Sequence, residues 1–430
     1  MIRSVSLWHV TPADIGVEFF DPTDTVLTAD EKLYQLVNDP SIPVDKTDYS
    51  KKDYKAIAFM RSFLQKVKTA GEGQVQFVPD YPGIIGCIGK FAVTERMNCY
   101  IMVSGIVVFY ERGESIPIED ETYFSLPAFY ERQVYEDDYC CNPDTTPRKK
   151  PLYDFLKLLW RCAEDRKYIH SSTDKFGNNG IEYTLCITMI DDPDLVSNNL
   201  SDEMKKNMRA LLDTSAFSNV LHKNQWGLIR QRIDNDDFSD LKLKELSETL
   251  VFADNWSGVL LAGDLSNNDM CIKWLMEFEI FLQSQWLLFD AYCENIARTD
   301  MSPIELQEIL NRVEYVKVKL DNDISSNMEQ SRHVMRNSLI ESSDINTIYQ
   351  KMHGMLTNKL KLKIMANDKK KSHFALFTDL SLLVIAVMQI YSVVAELLAK
   401  ESLGKTDIIS LAIITLITVI SAWAMIKGRQ

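Results

Sequence analysis

Six side chains in an apolar stretch near the C-terminus have the types and the spacing to line a path for ions. Five of them follow gaps of seven, four, three and four residues, so in a helix they lie near one face. Polar groups within an apolar helix are costly and usually face a bundle interior or water. The predicted path is lined by Thr378, Leu382, Ile385, Gln389, Ser392 and Glu396.

The same residues allow two interpretations, one with a pore formed by several copies and one without a path for ions. A protomer with two membrane helices cannot surround water alone, whereas several copies could place this face inward. Glu396 would then form an acidic ring that attracts cations, and Leu382 or Ile385 would form an apolar gate. In the alternative, Asp379 and Glu396 lie at the membrane interfaces, and Gln389 hydrogen-bonds to a neighbouring helix.

A second group has the chemistry for a nucleotide-type ligand. Phosphate requires cationic donors and a base requires a flat surface for stacking. Trp226, Arg230 and Arg232 are the next group of this kind along the chain. The alternative interpretation of the first group is a solvated basic surface in a linker. The candidate ligand-binding residues are Arg148, Lys149, Lys150, Trp160 and Arg161.

Patterns typical of enzymes are missing from the sequence. The glycines of GIIGCIGKF (83–91) do not have P-loop spacing, and no HExxH, GxSxG or EF-hand pattern occurs. Acidic runs at 119–121, 191–194 and 234–237 could bind a divalent cation, although solvated loops are the favoured interpretation. We therefore predict no catalysis and no fixed cofactor, leave the metal ligands open, and retain a divalent cation and a nucleotide-type ligand as candidates.

Charge is divided unevenly along the 430 residues, whose formal net charge is -14. Residues 351–430 contain 11 Lys or Arg and 5 Asp or Glu, a balance of +6, so the first 350 residues carry -20. Such an acidic surface repels phosphate backbones. We therefore expect a small-molecule or ion ligand as a partner, and no nucleic acid.

Two apolar runs, 374–398 and 408–426, are predicted to be transmembrane helices. The second has no charged residue over a length of roughly 28 Å as a helix. Seven lysines between Lys351 and His373, with a basic tail, predict that both termini are cytoplasmic and that the protein lies in the inner (cytoplasmic) membrane. The N-terminus has no apolar signal sequence, and the eight cysteines are expected to be reduced core residues.

The elements before the apolar runs are of two kinds. Mixed apolar and β-branched stretches predict strands near 75–79, 98–110, 183–190 and 257–263, and helical spacing appears at 150–169 and 202–214. From about residue 268 the pattern is helical. Ser302, Pro303 and Glu305 form a capping box that begins one helix, and a single helix is predicted from about Asp344 to Leu398.

The predicted fold class is an α+β cytosolic domain followed by a long helical stalk and two C-terminal transmembrane helices. The predicted parts are an N-terminal subdomain (1–147), a second α/β part (148–265), antiparallel helices (266–342), a stalk helix (343–373), transmembrane helix 1 (374–398), an outer loop (399–407), transmembrane helix 2 (408–426) and a cytoplasmic tail (427–430).

This order of parts resembles the CorA family of divalent-cation transporters and channels. The resemblance implies a homo-oligomer, typically a pentamer, in which the first span lines a pore through the lipid bilayer. The family's Gly-Met-Asn signature is missing, because residues 395–401 read AELLAKE and Gly354-Met355 is followed by Leu356. The chain is similar to CorA-like effectors of type III CRISPR antiviral systems, which answer a nucleotide messenger made from S-adenosylmethionine and AMP.

The resemblance implies an ion channel gated by a ligand bound to the cytosolic domain. A divalent-cation transporter of the magnesium type is one alternative. A membrane-anchored cytosolic sensor without a pore is the other.

Overall fold

A computed structural model describes the chain in segments. Two compact units are present, one formed by Met1–Met301 and Gln307–Leu356, the other by Ser302–Leu306 and Thr357–Gln430. The described residues are 4–15, 31–39, 41–43, 57–65, 77–78, 84, 86–102, 104–113, 115–117, 152, 154–159, 184–195, 200, 205, 208, 212, 243–255, 258–298, 300–322, 329–398, 404, 409, 412 and 415.

The first unit contains a mixed sheet of ten strands. Its spatial order is β2-β3-β4-β5-β1-β7-β10-β9-β8, and β6 pairs with β1 beside that path. The strands are β1 (Ser4–Asp14), β2 (Phe77–Val78), β3 (Cys87–Ala92), β4 (Met97–Met102), β5 (Ile106–Glu111), β6 (Ile116–Pro117), β7 (Leu185–Asp191), β8 (Lys244–Ser247), β9 (Leu250–Asn255) and β10 (Gly258–Gly263).

Strand β1 lies at the centre and joins the two halves of the sheet. It pairs antiparallel with β5 through His9–Asp14 and antiparallel with β7 through Ser4–Val10. Strands β7 and β10 are parallel. The strands on either side of the predicted boundary at residues 147 and 148 therefore belong to one sheet.

One side of the sheet, here called the Phe63 face, bears Val5, His9 and Ala13 of β1. Two apolar clusters cover it, and α1 (Glu31–Asn38), the helical segment 57–65 and the helical residues within 152–159 supply side chains to the larger cluster. The ring of Phe63 lies 5.1 Å from that of Phe91 and 5.0 Å from that of Phe155, edge to face. This aromatic packing anchors the helices to the sheet.

The opposite side, here called the α2 face, bears Trp8 and Val10 of β1 and is covered by α2 (Asp269–Arg298). The remaining helices are α3 (Pro303–Asn322), α4 (Gln330–Ser342) and α5 (Ile345–Leu398). Helix α4 packs on α2, on the edge strand β8 and on its neighbour β9. Asp344, between α4 and α5, has a positive φ of 54°, which sets the change of direction between them.

Two helical predictions are confirmed. The Ser302 backbone N–H donates to Glu305 Oε2 at 2.7 Å and the Glu305 N–H donates to Ser302 Oγ at 3.2 Å, which is the predicted capping box. Helix α5 is continuous over 54 residues, as the absence of proline after Pro303 predicted.

The predicted two-span layout is wrong. No helix in the described part of the chain has both the length and the apolar character needed to cross a membrane. This finding corrects the transmembrane assignment of 374–398, the CorA-like fold class and the inner-membrane location. Apart from Ile409, Ala412 and Thr415, the second run (408–426) lies outside the described residues.

The physical reason concerns length and composition. The span prediction rested on the length of the apolar runs, whereas the first run also contains polar residues at 378, 379, 381, 389, 392 and 396. The Thr378 and Ser381 hydroxyls donate to the carbonyls of Phe374 and Phe377, one turn earlier, as hydroxyls on exposed helices also do.

Candidate functional site

The residues predicted to bind a nucleotide-type ligand are not among those that the structure describes. Arg148, Lys149, Lys150, Trp160 and Arg161 all lie in the gaps between the described segments. Their grouping therefore stays a prediction.

The residues predicted to line an ion path lie along α5. Thr378, Leu382 and Ser392 are exposed on this helix, and Leu382 retains 57% of its accessible surface. The side chains of Ile385, Gln389 and Glu396 lie outside the described set.

The described residues bring together a different group of aromatic and cationic side chains on the α2 face. Trp8 projects from the central strand β1, and Arg112 follows the last residue of β5. The guanidinium carbon of Arg112 lies 5.2 Å from the centroid of the Trp8 ring, within cation–π range. Trp8 is half-buried and Arg112 is exposed, so both can be reached from solvent.

Two buried tyrosines lie under this pair. The ring of Tyr110 lies 5.7 Å from that of Trp8, edge to face, and Tyr100 is on the neighbouring strand β4. Burial raises the pKa of both phenols well above the usual range, although the nearby Arg112 charge opposes the shift. Both hydroxyls are therefore neutral donors near pH 7. We call Trp8, Tyr100, Tyr110 and Arg112 the Trp8 cluster.

The Tyr110 hydroxyl is buried close to Arg112. Both the charge of Arg112 and a hydrogen bond with its side chain oppose the rise in the phenol pKa that burial causes. The arginine and the phenol therefore form one polar group beside the Trp8 ring.

A second stacked arginine, Arg332, belongs to α4 and contacts two aromatic rings of α2. The Arg332 guanidinium carbon is 5.7 Å from the Trp274 ring centroid and 5.5 Å from that of Phe278. Glu277 is 4.0 Å from Arg332 and 4.0 Å from Lys273, and burial raises the pKa of its carboxyl. We call Trp274, Glu277, Phe278 and Arg332 the Arg332 cluster.

The two clusters share an electrostatic environment. The charge of Glu277 on α2 raises the pKa of Tyr100 on β4, so the Arg332 cluster lies near enough to the sheet to act on the Trp8 cluster.

A buried polar network attaches α4 to the sheet edge. The Ser338 hydroxyl donates to Asp254 Oδ1 on β9, and Lys244 Nζ on β8 lies 4.0 Å from that same oxygen and contacts Ser338. On α2, Gln283 Nε2 donates to Glu279 Oε2 at 2.9 Å. Burial, aided by the nearby Asp254 charge, raises the pKa of Glu279 to about 7.

The chemistry available at the Trp8 cluster is binding. Flat aromatic surfaces, a guanidinium and neutral phenol donors suit a planar anion. No group of three or more His, Cys, Asp or Glu that could hold a metal ion occurs among the described residues. The predicted divalent-cation site in the acidic runs can be followed at 191–194 alone, since 119–121 and 234–237 lie outside them.

Comparisons of the chain with protein-family models, with curated proteins and with solved structures gave no match. Together with the membrane finding, this contradicts the resemblance to the CorA family. The association with ion channels and with CRISPR effectors is corrected on the same grounds.

Sequence reasoning missed the Trp8 cluster because its members are far apart in the chain. The available signal was local. Trp8 and Arg112 each occur beside an apolar run, in SLWHV and VVFYER, but only strand pairing between β1 and β5 places them together.

Proposed function

We propose that this chain is a ligand-responsive regulatory protein that acts by binding, without catalysis. Its sheet binds a small planar anion of nucleotide type at the Trp8 cluster. The observation that carries the proposal is the Arg112 guanidinium stacked 5.2 Å from the centroid of the half-buried Trp8 ring. The expectation of ion conduction depended on transmembrane helices and is not carried forward.

Charge supports a small anion over a polymer. The first 350 residues carry a formal charge of -20, since the total is -14 and the last 80 residues carry +6. A long polyanion would meet that repulsion along its length, whereas a single phosphate meets only the local field of Arg112. A planar base on Trp8 adds about 1–3 kcal/mol of stacking.

A response to the ligand would travel through α2 and α4. Helix α2 packs on β1 and β5, which carry Trp8 and Tyr110, and α4 packs on α2 and immediately precedes α5. A ligand shifts such an arrangement only by binding two of its states unequally. The proposed signal is a change in how α4 and the start of α5 are held.

Self-association is the proposed form of the output. Beyond Leu356, most of the described apolar side chains of α5 are exposed, among them Phe374 at 73% and Phe377 at 66%. A bare apolar helix of this length favours a partner, and the proposed partner is a second copy of the chain. The acidic first 350 residues and the basic segment 351–373 have opposite charges that favour such an encounter.

Calorimetric titration with AMP and ATP tests the ligand proposal. We expect both to bind the full chain, and Trp8→Leu and Arg112→Gln each to weaken binding about tenfold, roughly 1.4 kcal/mol. Arg96→Gln is the matched control, because Arg96 is an exposed arginine whose carbonyl accepts from the Arg112 N–H. The control should bind as the parent does.

Two outcomes contradict the proposal. One is the absence of heat from either nucleotide with the folded parent chain. The other is equal affinity in the parent and in both cluster variants.

A further inference from the structure

A row of polar side chains crosses the Phe63 face, directly behind the Trp8 cluster. Glu111 on β5 is opposite His9 on β1, and His9 is opposite Cys186 on β7. Side chains of directly opposed residues point to one face with Cβ atoms about 4.5–5.5 Å apart. A carboxylate, an imidazole and a thiol therefore stand side by side. We call Glu111, His9 and Cys186 the thiol row.

The thiol row lies between the two apolar clusters of that face. Cys186 is 2% exposed, His9 5% and Glu111 9%. In the next row the hydroxyls of Thr11 and Thr184 are hydrogen-bonded to each other at 2.9 Å. Burying so many polar groups in the middle of a core is costly, and departures of this kind from a uniform apolar pattern are concentrated at functional sites.

Other buried cysteines of the same sheet serve as internal references, because in the strand register Cys99 is opposite Phe91 and Phe109, and Cys87 is opposite Met102. Cys99 belongs to the larger apolar cluster, and burial raises its pKa well above the usual range. Burial raises the pKa of Cys87 to about 12. Both thiols stay protonated near pH 7 and are poor nucleophiles, because the thiolate is the reactive form.

We propose that Cys186 is a thiol-modification site that exchanges with low-molecular-weight disulfides, with His9 as the base and Glu111 orienting the imidazole. The Cys186 proton passes to His9, and the thiolate attacks one sulfur of the disulfide. A mixed disulfide forms at Cys186 as the sulfur–sulfur bond of the small molecule breaks. The other half leaves as a thiolate and takes the proton from His9, so no further oxidant is needed.

Exposure does not single out this thiol, since Cys186 is 2% exposed, Cys99 0% and Cys87 7%, so the expected difference in rate rests on His9 and Glu111. Glu111 is the last residue of β5, and Cys186 is the second of β7. Beyond Cys186 the row meets Gly258, which has no side chain, and then the partly exposed Asn255, the last residue of β9. The row therefore ends where the β9–β10 hairpin turns.

The proposal is tested by incubating the full chain with glutathione disulfide and measuring mixed disulfides by peptide mass spectrometry. We expect Cys186 to react at least tenfold faster than Cys87 and Cys99 in the same molecule. His9→Gln should slow the reaction of Cys186 at least tenfold and leave that of Cys99 unchanged. Equal rates at Cys186 and Cys99, or no effect of His9→Gln, overturn the proposal.

If His9→Gln does not fold, the pH dependence of the reaction rates in the parent chain tests the same proposal. With imidazole as the base, the rate at Cys186 should level off above the pH range in which an imidazole titrates. The rate at Cys99 should keep rising with pH. Parallel profiles at the two cysteines contradict a role for His9, and the result does not depend on nucleotide binding at the Trp8 cluster.

Discussion

At the scale of single residues, the α2 face is distinguished by buried groups that can change charge near neutral pH. Glu279 is 2% exposed and lies near Asp254, so an ionised Glu279 would be repelled by the Asp254 carboxylate. The Oδ2 atom of Asp254 is buried and has no hydrogen bond among the described residues. Burial favours the protonated carboxyl and raises the pKa from 4.5 to about 7. The fold is therefore expected to bind one more proton than the unfolded chain between these values.

Glu279→Gln should remove a pH dependence of stability. Because the folded pKa is the higher one, the contribution of Glu279 is fully present below about pH 4.5 and is lost as pH rises toward 7. A glutamine stays neutral and keeps an acceptor for Gln283. The variant should be about 1–3 kcal/mol more stable than the parent at pH 8 and nearly equal at pH 5. Urea unfolding at the two pH values measures this.

Glu277→Gln is the comparison for that experiment. Burial also raises the pKa of Glu277, but Lys273 and Arg332, each 4.0 Å away, oppose that shift, so its neutral replacement should stabilise the chain at pH 8 by less than Glu279→Gln does. An unchanged pH slope in Glu279→Gln would show that another group carries the dependence.

At the scale of elements, α5 has two parts with different environments. Its start packs against α2 and α3, where the ring of Tyr349 lies 6.1 Å from that of Phe289 and Lys317 donates to Asn346 at 3.1 Å. Met352 and Leu356 are fully buried. Leu362, less than two turns further on, is 66% exposed. The helix is thus held firmly by its first three turns.

Two leucines of α5 give a matched pair of variants. Leu356→Ala should destabilise the first unit by about 2–5 kcal/mol, because it removes a fully buried side chain. Leu362→Ala should change the free energy of unfolding by less than about 0.5 kcal/mol, since its side chain is exposed. Denaturant unfolding of both variants measures the difference, and equal losses would contradict the division of α5 into a packed and a bare part.

At the scale of the whole molecule, charge and apolar surface both favour assembly. The last 80 residues carry a balance of +6, while the rest of the chain is strongly acidic. The exposed phenylalanines of α5 lie within that basic part. An assembly of several copies would cover the apolar residues and bring opposite charges together.

The mass of the particle in solution tests the assembly. Light scattering should give a multiple of the 49.4 kDa protomer for the parent chain. Phe374→Ser combined with Phe377→Ser should shift the mass toward one protomer, because it removes apolar surface that a second copy would cover. Lys361→Gln, a change at an exposed residue of the same helix, is the control. A parent particle with the mass of one protomer, 49.4 kDa, would contradict the proposal of self-association.

Much of the fold could be predicted from local sequence patterns. Strands β4 and β5 occur where the run at 98–110 predicted strands, β7 and β10 occur where 183–190 and 257–263 did, the segment 270–298 lies in the buried helix α2, and α5 is continuous. The described cysteines are buried and form no disulfide with one another, as expected of core residues. These features follow from periodicity, turn residues and capping, which act over a few residues and are readable without the fold.

The central strand β1 and the site could not be predicted in the same way. Strand β1 is covered on both faces, so its apolar residues do not alternate, and Pro12 is unusual within a central strand. Length alone also misassigned the apolar runs near the C-terminus to the membrane.

The sequence by itself determined the local elements and the division of charge. The tertiary structure decided which residues meet: Trp8 with Arg112 on one face of the sheet, and His9 with Cys186 and Glu111 on the other. The physical reason is that these contacts form by strand pairing between residues about 100 to 180 positions apart. Local propensity carries no information about which strands become neighbours.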